Sequence, residues 1–216
     1  MTYTGSVRVG GPPAVRELAR LVVTKVAVGP MDNDAYVLRC RTSGEQLLID
    51  AAAEPDVLLA IAPRLAAVVT THAHHDHWGA LGAVLEATGA RSLAHPVDAP
   101  DIEPEPDEPL RHGDRIRWGD VELSVIHVRG HTPGSVALLY DDPDGPPHLF
   151  TGDSLFPGGP GNTDRDPRRF ALLIGDLQQR VFDVLPDETW IYPGHGRDTT
   201  LGAERPHLAE WRERGW

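Results

Sequence analysis

The chain has 216 residues, 40% hydrophobic and 24% charged, the make-up of an ordinary globular protein long enough to bury a full core. Its formal net charge is −12 and no cluster of Lys or Arg lies along one face, which argues against a grip on nucleic-acid phosphates. Neither a basic leader followed by an apolar stretch nor an apolar run of membrane-spanning length occurs, so a cytoplasmic protein with no membrane partner is expected.

Hydrophobic patterning predicts strands over Leu21–Val28, Ala35–Cys40 and Gln46–Ile49, then a short helix over Pro55–Ala62. Cys40, the sole cysteine, rules out an internal disulfide and reads as a small buried hydrophobe within its strand. Lys25 is the only lysine. A continuous apolar strand is predicted over Ala66–Thr71, a Gly/Ala-rich helix over Trp78–Thr88 closed by Gly89, and a strand over Arg91–Ala94. Pro96–Pro109 carries five prolines and six acids and reads as a solvated surface loop without regular elements. Further strands are predicted at Arg115–Trp118, Val121–Val128, Ser135–Tyr140, Leu149–Thr151 and Trp190–Tyr192. Helical spacing of Phe170, Leu173, Ile174, Leu177, Val181 and Leu185 marks Arg168–Leu185, and a last helix is expected over Glu204–Arg214. Strands in two groups, each accompanied by helices, suggest a layered sandwich.

The chemistry concentrates in His72-Ala73-His74-His75-Asp76-His77. Imidazole nitrogen and carboxylate oxygen suit zinc and similar borderline metals. Taken alone, such a run also reads as a solvated cluster or a helix cap. Its context changes the reading. His72, His131, Asp153 and His195 each follow an apolar strand, beside Gly79, Gly130, Gly152, and Gly194 with Gly196. Scattered surface histidines have no reason to share that placement, and glycine permits the turns that bring ligands together. No Gly-x-Ser-x-Gly elbow or plausible cysteine nucleophile competes with a metal-assisted reaction.

Thr71 to His77, Gly130-His131-Thr132-Pro133-Gly134, Thr151-Gly152-Asp153 and Pro193-Gly194-His195-Gly196 resemble the metal motifs of the metallo-β-lactamase superfamily, with Leu48-Ile49-Asp50 similar to its first, non-ligand motif. Gly152-Asp153-Ser154-Leu155-Phe156 and Thr200-Leu201-Gly202-Ala203-Glu204-Arg205 carry a likeness to the short glyoxalase II-like hydrolases, the hydroxyacylglutathione hydrolase type. The resemblance implies an α+β, four-layer αββα sandwich, two mixed sheets flanked by helices, as a single domain over residues 1–216. It implies two divalent metal ions, zinc first with iron and manganese open. His72, His74 and His131 would hold one metal, Asp76, His77 and His195 the other, and Asp153 would bridge them. Asp76 would also position the attacking hydroxide as the catalytic carboxylate. Asp50 is expected to orient a ligand imidazole or fix a site loop. His75 falls at a variable position and takes no ligand role, and His95, His112, His127, His148 and His207 are expected to be structural.

The activity so implied is hydrolysis of a thioester or related ester on a small-molecule substrate. A mononuclear iron persulfide dioxygenase and a lactone hydrolase stand as alternatives, with a non-catalytic metal-binding module disfavoured by the full ligand set. Asn162 stands where glyoxalase II-like and persulfide-oxidising relatives generally show Arg, and the chain ends soon after its last ligand motif, without the helical extension expected of a glutathione-holding enzyme. Both departures weaken a glutathione thioester as substrate. Arg165, Arg168 and Arg169 read as a solvated helix start. The sequence leaves a homodimer open.

Overall fold

The computed structural model describes residues 3–215. Seven strands form the first sheet in chain order: β1 (Ala14–Glu17), β2 (Leu21–Val28), β3 (Asn33–Cys40), β4 (Gln46–Ile49), β5 (Leu65–Val69), β6 (Arg91–Ala94) and β7 (Glu108–Pro109). The first four pair antiparallel, and β4 to β7 pair parallel. Six further strands form the second sheet: β8 (Arg115–Trp118), β9 (Val121–His127), β10 (Val136–Tyr140), β11 (His148–Gly152), and, past a small ribbon of β12 (Leu155–Phe156) and β13 (Gly159–Pro160), β14 (Trp190–Pro193) and β15 (Thr199–Thr200). In this sheet β11 and β14 are the parallel pair.

Side chains of a strand alternate between faces, and both sheets use that alternation twice. Leu21 and Val23 of β2, with Tyr36, Leu38 and Cys40 of β3, face Ile116, Leu123, Val125, Leu138, Phe150 and Tyr192 of the second sheet, making the inter-sheet core. Val26, Val28 and Val37 point the other way, onto Leu58 of α1 (Pro55–Ile61) and Leu81 and Val84 of α2 (Leu81–Thr88). On the far side, Ile126, Ala137, Leu149 and Ile191 pack on Phe170, Leu173 and Leu177 of α3 (Pro167–Leu177) and on Leu201 and Trp211 of α4 (Leu201–Glu204) and α5 (Leu208–Arg214). The result is the expected four-layer αββα sandwich. Among the described residues no helix is long and apolar enough to cross a membrane.

Three expectations need correction. The helix predicted over Arg168–Leu185 is α3 followed by a widened π turn at Gln178–Phe182. The helix predicted over Glu204–Arg214 is divided by a 3-10 turn at Arg205–His207, where Pro206 lacks the N–H that would continue the ladder. Pro96–Pro109 is more than a solvated loop: Glu108–Pro109 adds β7 to the sheet, and Asp98 is buried with specific partners. The short strands β1, β12, β13 and β15 escaped the sequence reading because so few residues carry no periodicity.

Candidate metal centre

Parallel neighbours β4 and β5, and β11 and β14, send their C-terminal ends to one edge of the sandwich, where loops can converge. Asp50 leaves β4, the His72–His77 run leaves β5, Asp153 leaves β11 and His195 leaves β14, while His131 lies on the loop between β9 and β10. The two sheets are tied together there, Val136 N–H donating to Thr71 O at 2.9 Å and Asp34 N–H to Gly194 O at 2.8 Å. Glycine is required at Gly194, where a Cβ would stand 2.2 Å from Asp153 Oδ1, and at Gly161, where it would collide with the Asp153 carbonyl at 1.7 Å.

All seven candidate ligands meet at this edge. His72 Nε2, His74 Nδ1 and His131 Nε2 form a triangle with sides of 3.1, 3.0 and 3.2 Å. Three nitrogens about 2.0–2.1 Å from one tetrahedral ion would stand roughly 3.3–3.4 Å apart, so small adjustments suffice. Asp76, His77 and His195 form a second group, with Asp76 Oδ2 at 3.6 Å from His77 Nε2 and 3.4 Å from His195 Nε2. Asp153 stands between the groups: Oδ1 lies 3.4 Å from His77 Nε2, and Oδ2 lies 3.6 Å from both His131 Nε2 and His195 Nε2.

Surrounding acceptors fix the imidazole tautomers. His77 Nδ1 donates to Asp50 Oδ2 at 2.8 Å, His131 Nδ1 to Asn162 O at 2.8 Å, and His195 Nδ1 to Met31 O at 3.0 Å. Thr71 Oγ1 gives its proton to Asp50 Oδ2 and so accepts from His72 Nδ1 at 3.0 Å. A carboxylate or carbonyl can only accept, so each of these four rings turns an Nε2 lone pair into the cluster, the arrangement of a metal-ligating histidine. Buried His77 Nε2 and Asp153 Oδ1 have no hydrogen-bond partner among the described residues, a cost that a bound cation would remove. The residues present fit a metal.

The electrostatics agree. Burial, together with the neighbouring His77, His131, His74 and His195, holds His72 well below its ordinary value, in the neutral ligand form. For His77 burial acts downward, but Asp50 and Asp153 outweigh it and raise the imidazole to about 10, so without a cation Nε2 keeps a proton that a bound metal ion would displace. Burial likewise pushes the carboxyls of Asp76 and Asp153 up. Asn33, with His77, more than offsets this for Asp76, and His77, His131 and His195 do so for Asp153, leaving both lowered and anionic.

Several residues that serve the site escaped the sequence reading. Asn33 Nδ2 donates to Asp76 Oδ2 at 2.8 Å. Asp98, from the Pro-rich segment, accepts from Ala73 N–H at 3.0 Å and Gly134 N–H at 2.6 Å, and also from Thr132 Oγ1, stitching the first histidine loop to that of His131. Arg169 is no solvated helix start, since its guanidinium donates to Gly130 O at 2.9 Å and to His131 O. Lys25, fully buried, donates to Gly5 O (2.9 Å), Gly196 O (2.6 Å) and Asp198 Oδ1 (2.7 Å), and its ammonium lies 2.9 Å from Asp34 Oδ2. A single lysine at an inward-facing position of an apolar strand was the available signal; Asp98 offered none, being one acid among six in its segment.

The other histidines stay out of the cluster. His75 packs on Trp78, His95 stacks on His127, and His148 Nδ1 meets Tyr192 OH at 2.9 Å. Cys40 is buried, as expected, with its thiol donating to Asp120 Oδ1.

Comparison with known proteins places this geometry. Residues 28–195 match the model of the Metallo-beta-lactamase superfamily. An Aquifex aeolicus protein is 32% identical over 86% of this chain and 94% of its own length. The hydroxyacylglutathione hydrolase of Polaromonas sp. is 35% identical over 76% of this chain, which spans only 62% of that enzyme's length. Among solved structures, the B3 metallo-β-lactamase BLEG-1 superposes with a TM-score of 0.78 at 27% identity, covering 88% of this chain and 99% of that one. ETHE1 from Myxococcus xanthus gives 0.77 at 28% identity, covering 88% and 84%. TTHA1623, solved in a di-iron-bound form, gives 0.68 at 35% identity, covering 84% and 96%. The chain belongs to the metallo-β-lactamase superfamily.

Proposed function

We propose that the chain hydrolyses a thioester or related ester at two divalent metal ions, one held by His72, His74 and His131, the other by Asp76, His77 and His195. The observation that carries this reading is the position of Asp153, whose Oδ2 lies 3.6 Å from a ring nitrogen of each group. Zinc suits the imidazole-rich set, and iron or manganese would be accepted by the same donors.

A divalent metal bound there would lower the pKa of water to about 7 and draw charge from a carbonyl oxygen. The chain's own residues do the rest. Asp76, fixed by Asn33 and 24% exposed at its side chain, borders the open side of the cluster, where it orients the attacking water and receives its proton. The water oxygen bonds to the carbonyl carbon as the carbon–sulfur bond breaks. Thiolate then leaves with little acid assistance, because thiols have a pKa of about 8.5, and takes up the proton held by Asp76. Asp50, Asn162 O and Met31 O keep the rings of His77, His131 and His195 aligned throughout.

A mononuclear iron dioxygenase would need only one metal, and the complete Asp76, His77 and His195 set beside the first triad favours two. The test is a panel of thioesters, lactones, phosphodiesters and persulfides offered to protein loaded separately with zinc, iron and manganese. Thioester turnover with about two metals per chain is expected. Persulfide-dependent oxygen consumption with one tightly held iron, and no hydrolysis, would replace this reading.

A further inference from the structure

Two unlike hollows lie near the metal cluster. One, of about 350 Å³, lies beyond His131 and is lined by Asn162, Thr163, Arg165 and Arg214. The other is a cleft of about 410 Å³ that begins at Asp76. Pro30 and Met31 on the β2–β3 turn form one wall, Ala52 and Ala53 before α1 form the floor, and Ala80 and Ala83 the α2 side. Small side chains make the hollow, and Gly79 deepens it, since a Cβ there would stand 2.9 Å from Ala52 O and 3.2 Å from the His75 ring. Met31 is 59% exposed at its mouth. The two formal charges lining the cleft, Glu54 and Asp76, are both acidic, and neither Lys nor Arg lines it.

Its size is that of a small-molecule site, and its lining is mainly apolar. It is continuous with the metal centre through two bonds already described: Asn33 holds Asp76, and the Met31 carbonyl holds His195. With Asp76 engaged by the metal, an anionic arm lying there would still face Glu54 with no Lys or Arg to pair it, and would carry a desolvation cost besides. We propose that this cleft receives an uncharged, apolar arm of the substrate next to the scissile bond, making the chain selective for alkyl or aryl esters and thioesters over those with an anionic arm on that side. The inference rests on the hydrolase reading and adds the class of substrate.

Two thioester series test it on zinc-loaded protein. One lengthens the acyl chain from acetyl to hexanoyl on N-acetylcysteamine, and the other lengthens an S-alkyl chain on a fixed acetyl group. One series is expected to gain about fourfold in kcat/KM per methylene until the cleft is filled, the ratio that burial of a methylene supplies. A terminal carboxylate at equal length should erase that gain, and Ala83→Phe, which fills the cleft from α2, should flatten the slope. Hydrolysis that proceeds with both series flat, or with the carboxylated chains preferred, would overturn the inference and leave the hydrolase reading standing.

A binding measurement separates the two claims. Met31 is one of only two methionines, so 13C-methyl labelling gives it a signal that Met31→Leu assigns. Hexanamide should shift that signal saturably, and acetamide at the same concentration should not. This expectation holds even if no thioester is cleaved, an outcome that would remove the hydrolase reading alone. An unmoved Met31 signal would overturn the cleft as an apolar site.

Discussion

His72, His74 and His131 come from two loops stitched to each other, whereas Asp76, His77 and His195 are each anchored to a different part of the fold. In the first half a single buried carboxylate, Asp98, takes hydrogen bonds from Ala73 on one loop and from Thr132 and Gly134 on the other. In the second half Asp76 depends on Asn33, His77 on Asp50 and His195 on the Met31 carbonyl. Behind these stands Lys25, on the inward face of β2, binding Gly196 and Asp198 on the loop that carries His195. One half rests on a local clasp and the other on an ion network reaching across both sheets. The halves should therefore fail separately when their supports are removed.

The largest effect is expected from Lys25→Met. It removes the cation beside Asp198 and Asp34, both nearly inaccessible, and breaking one partner out of a buried ion pair costs about 3–5 kcal/mol. Urea denaturation should register that loss. Metal titration of the folded fraction should show the second ion weakened and the first little changed; equal loss of both would break the comparison.

Asp98→Asn should do the converse. It keeps the shape but loses the anionic acceptor, and changes to residues that orient metal ligands typically cost about 10–100-fold in affinity. Competition with a chelator should find the tighter loss at the His72, His74 and His131 ion. An unaltered first ion would deny Asp98 its clasping role.

His148 offers the smallest effect and serves both halves, since β11 leads directly to Asp153. Burial, aided by Arg16, lowers this imidazole to about 4. Between the ordinary 6.5 and about 4 the unfolded chain binds a proton that the folded chain refuses, so stability falls as pH falls through that window. At pH 5.5 the expected share is on the order of 1 kcal/mol, and His148→Gln should flatten the pH dependence of denaturation. A variant with the wild-type slope would assign that loss to other groups.

How much of this was legible in the sequence follows from the range of the interactions. Strands such as β2 and β9 declare themselves through their own alternation, and the candidate ligands through their places after strands. The supports do not. Asp98 meets partners 25 to 36 residues away, and Lys25 meets Gly196 and Asp198 more than 170 residues along the chain. Nothing local distinguishes Asp98 from Asp101 or Asp107. Asn33 reads as the polar start of a strand until folding brings Asp76 beside it. Glycine was rightly noticed near the ligands, but at Gly194 its reason is the approach of Asp153 and His77, which only the fold supplies.

The central claim is that Asp153 joins two metal positions into one centre, and counting metals in Asp153→Ala tests it most directly. Wild-type protein should hold about two ions per chain, and Asp153→Ala should lose at least one, with activity down by roughly a hundredfold or more. A variant that keeps both ions at wild-type affinity and full activity would contradict the account.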